Sequence, residues 1–153
     1  MTAVAARLVE LGLELPPVAK PVAAYVPAVV TGNLVFTAGQ LPFVSGTHAA
    51  TGKFGAELAG EDGAALARIC ALNALAAAES VIGSLDRVTR VVKVVAFVAS
   101  TADFTGQPGV ANGASELLGQ VFGDAGQHAR SAVGVPVLPL DAPVEVELIL
   151  EFA

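Results

Sequence analysis

Arg130 is the one lysine or arginine among the sixty residues that follow Lys93. It opens the run Ser131-Ala132-Val133-Gly134-Val135, which is apolar company for a guanidinium. Leaving such a group buried and unpaired costs several kcal/mol, so an anion is expected beside it. That anion is either an internal carboxylate in a structural ion pair or the carboxylate of a bound ligand gripped in bidentate fashion, and composition leaves both readings open. The C-terminal segment supplies candidate acids. Glu145, Glu147 and Glu151 share one parity, and Val144, Val146, Leu148, Leu150 and Phe152 share the other. This is the alternation of a strand with one face on a core. The acids then form a solvated face, or Glu145 points into a cleft as a general base whose basicity rises with desolvation.

Other chemistries find less to work with. The two histidines, His48 and His128, have no second ligand at metal spacing, and both read as surface or loop residues. Thr51-Gly52-Lys53 lacks the upstream glycine spacing of a phosphate-binding loop and the Ser or Thr after the lysine. Cys70 is the single cysteine and falls in an Ala-rich helical pattern, where it reads as core. With net charge −6 and eight scattered Lys and Arg, there is no basic stripe to neutralise nucleic-acid phosphates. No uninterrupted apolar run reaches the ~18 residues of a membrane span. The N-terminus reads as a short amphipathic helix, unlike a secretion signal. The expectation is a cytoplasmic protein that binds neither membranes nor nucleic acid.

These residues need a scaffold. The 153 residues are expected to form one domain, with residues 1–20 as an N-terminal helical extension. Leu8, Leu11 and Leu15 predict a helix over 3–13, closed by Pro16-Pro17. Tyr25 to Val30 and Leu34 to Ala38 flank Thr31-Gly32-Asn33 and predict a hairpin. Phe43 to Gly60 reads as a long loop of the kind that can serve as a lid. Helices are predicted over Asp62 to Ile82 and Pro108 to Phe122, with Gly83 and Gly123 as stops. Strands are predicted over Asp86 to Ala99, Arg130 to Leu138 and Val144 to Phe152. The order implies an α+β sandwich, a mixed sheet with two long helices on one face. Its other face must meet solvent or another subunit. Only 14% of the residues are charged against ~25% in an average protein, which favours a second subunit.

Two stretches resemble the Rid (YjgF) family of imine deaminases. One is Gly32-Asn33-Leu34-Val35-Phe36-Thr37-Ala38-Gly39-Gln40-Leu41-Pro42. The other is Arg130-Ser131-Ala132-Val133 followed by Leu138-Pro139 and Val144-Glu145-Val146-Glu147. The match runs from about Tyr25 to the C-terminus. The resemblance implies a chorismate-mutase-like fold and a homotrimer whose sheet faces form a central barrel, with ligand clefts between subunits. It implies cofactor-free, metal-free hydrolysis of 2-enamine and 2-imino acids to 2-oxo acids and ammonia.

Carried over residue by residue, Arg130 matches the arginine that grips the substrate carboxylate and Glu145 the acid that activates water. Tyr25 matches a tyrosine lining the cleft from the neighbouring subunit. Asn112 matches a helix asparagine across a one-residue gap. Ala38, Gly39 and Ala132 fall at the substrate. Ala38 stands where active deaminases often have Ser, and Ala132 where they often have Cys, so the chain resembles a divergent branch. A lost hydroxyl contact is worth ~1 kcal/mol. Two other activities stay in view: a non-enzymatic binder or sensor of small carboxylic acids, and an endoribonuclease, which some family members have been called.

Overall fold

The computed structural model describes residues 3–21 and 23–153. Of the expected N-terminal extension, Met1 and Thr2 lie outside the described residues. The architecture is the α+β sandwich expected from the order of elements. The elements are α1 (Ala3–Glu10), β1 (Ala28–Thr31), β2 (Leu34–Thr37), β3 (Phe43–Val44), β4 (Thr47–His48), α2 (Gly63–Ile82), β5 (Val88–Ala99), α3 (Gln107–Phe122), β6 (Ala129–Val135) and β7 (Val144–Phe152). The main sheet has the order β1-β2-β7-β5-β6. Only the β5–β6 pair is parallel, and α3 is the crossover between those two strands.

Alternation decides which face of the sheet is covered. Val144, Val146, Leu148 and Leu150 of β7 are at most 1% exposed, together with Val91, Val94, Ala96 and Val98 of β5. They form one core with Leu66, Cys70, Leu75 and Leu117 of the two helices. α2 is long and apolar enough to cross a bilayer by length and composition, but much of it is buried as the core helix of the sandwich. Among the described residues no layer of helices or strands covers the opposite sheet face. Val29 is 54%, Phe36 39% and Val133 44% exposed there, and Lys93 and Glu147 stand among them.

Several boundaries differ from expectation for local reasons. α1 stops at Glu10 instead of residue 13, because the chain turns at Gly12 with φ +69°, where a side chain would be strained. β1 begins at Ala28. Pro27 ahead of it has no N–H to give the ladder, though its carbonyl accepts from Ala38 N at 2.8 Å. β6 ends before Pro136, which cannot donate to the ladder.

The segment 43–60 is not a free loop. It holds the β3–β4 hairpin, and Phe54 is fully buried, with its ring 5.7 Å from that of Phe104. Phe54 N donates to Ala99 O at 2.9 Å, and Thr101 N donates to Phe54 O at 3.0 Å. One buried aromatic therefore ties the middle of the segment to the end of β5, which removes the freedom a lid would need.

Candidate functional site

β2 ends where its chain leaves the sheet and immediately returns to it. Gln40 N donates to Val146 O at 2.8 Å, and Val146 N donates to Gln40 O at 3.0 Å. This bridge sets Gly39 against Glu145. A Cβ on Gly39 would overlap the Glu145 Oε1 atom, so any larger residue there must displace that carboxylate. Glu145 is half-buried, and its carboxyl pKa is raised, first by desolvation and then by the charge of Glu147. It lines a pocket of about 430 Å³ with Gly39, Gln40, Tyr25, Leu41 and Pro139. The structure thus brings together Glu145, Gly39 and Tyr25, three of the residues expected at a site, within one chain.

Arg130 sits elsewhere. It pairs with Val94, on the helix side of the sheet, and its guanidinium reaches over to α3. Nη1 donates to Asn112 Oδ1 at 2.8 Å and to Ser115 Oγ at 3.1 Å, and Nη2 donates to Pro108 O at 3.4 Å. Asn112 and Arg130 are therefore together, and Ala132 lies on the same side of β6, packed against the core. None of these partners is an anion. The ion pairs among the described residues are Arg7–Glu10 and Arg90–Glu151, so the internal ion pair allowed by the sequence is not made. The half-buried guanidinium is thus held by neutral acceptors, with no counter-charge among the described residues.

Ser115 and His128 are parts of this arrangement that sequence reasoning missed. His128 Nδ1 lies 2.6 Å from Gly126 O, an acceptor, so Nδ1 carries the proton. In the neutral ring Nε2 accepts from Ser115 Oγ at 2.8 Å, and Ser115 accepts in turn from Arg130. The histidine, expected at the surface or in a loop, lies in the segment between α3 and β6, is half-buried and fixes the hydroxyl that orients Arg130. His48, also expected at the surface or in a loop, lies in β4 and stacks on Phe43 at 4.3 Å, and both of its ring nitrogens are buried without a partner among the described residues. A second omission is Asn73, whose Nδ2 donates to Leu41 O at 3.0 Å and Phe43 O at 3.1 Å. A buried amide in an Ala-rich helix was the available signal. Its role is to pin the chain that walls the Glu145 pocket.

Arg130 and Glu145 do not meet within one chain. Glu145 pairs with Phe97 of β5, and Arg130 pairs with Val94. Two strand spacings and three residues along the sheet separate their Cα atoms by about 14 Å. Their side chains also leave opposite faces, since Glu145 has the parity opposite to the buried Val144 and Val146. Within one chain the two groups therefore lie apart, one on each face of the sheet.

Comparison with known proteins fits this geometry. Residues 5–152 match the family model described as "YjgF/chorismate mutase-like, putative endoribonuclease". The chain is 47% identical to Protein TCP17 of Trypanosoma cruzi over 97% of its own length and 93% of that protein's. It superposes on the crystal structure of Atu1372 from Agrobacterium tumefaciens with TM-score 0.92 and 41% identity, over 99% of this chain and 93% of that one. With TdcF of E. coli, solved with bound serine, the TM-score is 0.60 and the identity 26%, over 91% and 94% of the two chains. The mixed sheet under two helices and these matches agree: the chain belongs to the YjgF/RidA-like, chorismate-mutase-like superfamily.

Proposed function

We propose that the protein hydrolyses reactive 2-imino acids, and the enamines that tautomerise to them, to 2-oxo acids and ammonia at clefts between copies of the chain. The observation that carries this reading is Glu145, a desolvated carboxylate of raised pKa on the wall of an apolar pocket. Arg130 of a neighbouring copy would complete that pocket. Its guanidinium takes the substrate carboxylate, with Asn112 and Ser115 holding it in place. The serine bound to TdcF is a free amino acid carrying the same carboxylate, which supports the grip.

Glu145 accepts a proton from water as the water oxygen bonds to the imine carbon. The imine nitrogen takes up a proton, giving a tetrahedral carbinolamine. Glu145 then passes its proton to the amine nitrogen, the hydroxyl proton goes to solvent as its electron pair forms the C=O bond, and the C–N bond breaks to release ammonia and the 2-oxo acid. Free imines already hydrolyse in water, so placing acid, water and carboxylate together supplies much of the acceleration. The uncovered sheet face, with Val29, Phe36 and Val133 exposed, is the surface we assign to the contact between copies of a homotrimer.

The test couples an amino-acid oxidase, which makes 2-iminopropionate from alanine, to the purified protein. Faster decay of the imine is expected, and a rate equal to the uncatalysed one rules the activity out. Gly39→Ala supplies a sharper version, because the added Cβ must push the Glu145 carboxylate aside. A displacement on the order of 1 Å costs about 10²-fold in rate. The expected result is a fall in kcat of that order with the thermal midpoint little changed.

A second reading, a non-enzymatic binder of small carboxylic acids, is favoured by Ala38 and Ala132, which offer no side-chain polar group to a reacting imine. Calorimetric binding of a 2-oxo acid without imine turnover separates it from the first.

A further inference from the structure

We infer that the pocket beside Glu145 receives the side chain of the substrate, that this side chain is large and apolar, and that Leu140 selects it. The inference rests on the imino-acid reading above and adds the substrate class.

The pocket holds about 430 Å³, within the ~300–1,000 Å³ that drug-sized ligands occupy. A three-carbon imino acid offers it a single methyl group. Its walls are Tyr25, Pro27, Leu41, Phe43, Pro139 and Leu140. Two of them are held firmly, since Asn73 takes the carbonyls of both Leu41 and Phe43. Apolar walls on a pinned backbone suit an alkyl or aryl group better than a polar one.

Leu140 is the unusual member. It has φ 59° and ψ 25°, and Asp141 follows with φ 58°. Two successive non-glycine residues in the left-handed region are costly, and such strain clusters at ligand clamps. The turn is fixed in that form by hydrogen bonds from Asp141 N to Leu138 O, Ala142 N to Pro139 O and Gly52 N to Asp141 O. Burial within the chain does not repay the cost, because Leu140 is 63% exposed. Glycine or asparagine would occupy the same turn with less strain. What leucine adds is an apolar side chain at the mouth of the pocket.

The pocket also has a lysine on its wall, Lys20, from the segment that follows α1. It is exposed, and no ion pair among the described residues includes it. A second anionic group on the substrate is therefore the competing occupant, and the experiment includes it.

The measurement is kcat/KM for imines generated from phenylalanine, leucine, alanine and glutamate, in wild type, Leu140→Gly, Leu140→Asn and Lys20→Gln. Wild type should favour the phenylalanine- and leucine-derived imines. Both Leu140 variants should fold with a thermal midpoint no lower than wild type, since they relieve the strain. They should lose about tenfold on the large apolar imines and stay within twofold on the alanine-derived one. An equal loss on all substrates with a change of assembly state on gel filtration would make Leu140 a subunit contact and overturn the inference. A wild-type preference for the glutamate-derived imine, removed by Lys20→Gln, would also overturn it. If wild type hydrolyses no imine, the reading of function falls. Selectivity is then read as the calorimetric affinity ratio of phenylpyruvate to pyruvate, which Leu140→Gly should lower about tenfold. An unchanged ratio sinks the inference on its own.

Discussion

Glu145→Gln should lower kcat/KM for 2-iminopropionate hydrolysis by roughly 10²–10⁴-fold, the usual worth of a positioned general base. The glutamine is nearly isosteric and keeps a polar tip in the pocket beside Gly39, so the loss is chemical and not a matter of packing. The pH profile adds a second readout. Glu145 acts as base only when ionised, and burial raises its pKa above the ordinary carboxylate value of ~4.3. In wild type, kcat/KM should therefore fall as pH drops through that raised pKa, and the variant should lack this limb.

Stability should move the other way. A carboxyl whose folded pKa is raised favours folding fully below its unfolded pKa, and that contribution is lost as pH rises through the folded pKa. At neutral pH wild type holds an ionised, desolvated carboxylate, and glutamine does not. The variant's thermal midpoint at pH 7 should equal or exceed that of wild type, and the difference should shrink as pH falls. A variant that is inactive and also markedly less stable at pH 7 would mean that Glu145 is structural.

Arg130→Met carries the next largest effect. Removing one partner of a charge-assisted, bidentate contact costs about 3 kcal/mol, or roughly 10²–10³-fold in kcat/KM. The chain itself should tolerate the change, because Arg130 is only half-buried and the groups it releases are neutral acceptors near the surface. Arg130→Lys keeps the charge but not the planar fork, so it should recover only part of the loss. Steady-state kinetics on 2-iminopropionate, with calorimetric affinity for pyruvate alongside, check both variants. Wild-type rates in Arg130→Met would remove the carboxylate grip from the account.

Where a feature depends on periodicity, it was legible before the structure. The alternation from Val144 to Phe152 marked β7 end to end and separated the core valines from the acids. The Ala- and Leu-rich run ending at Gly83 marked α2 to within one residue at each end. Arg130 stood out by charge alone, and a site shared with Glu145 and Tyr25 is what the family resemblance implies. Contacts between distant segments were not legible. α1 is capped by the Asp86 carboxylate, which accepts from Val4 N at 2.7 Å, more than eighty residues away. Phe54 turned an aperiodic loop into a fixed one. The chain from Arg130 through Ser115 to His128 joins α3 to β6, and Asn73 reaches from α2 to the pocket wall. No local pattern records such pairings, because they exist only once the sheet and helices are stacked. The strain at Leu140 was equally hidden, since a leucine after Leu138-Pro139 carries no sign of a left-handed turn.

The central claim is that Arg130 and Glu145 act on one substrate from different copies of the chain. Arg130→Met and Glu145→Gln chains, each nearly inactive alone, should be co-expressed with different tags and the mixed assemblies isolated. A cleft is intact when its Arg130 and its Glu145 both come from unaltered positions, which holds for about one cleft in three of a mixed cyclic trimer. Imine hydrolysis at about a third of the wild-type rate is the predicted result. Activity no higher than that of the two single variants would contradict the account.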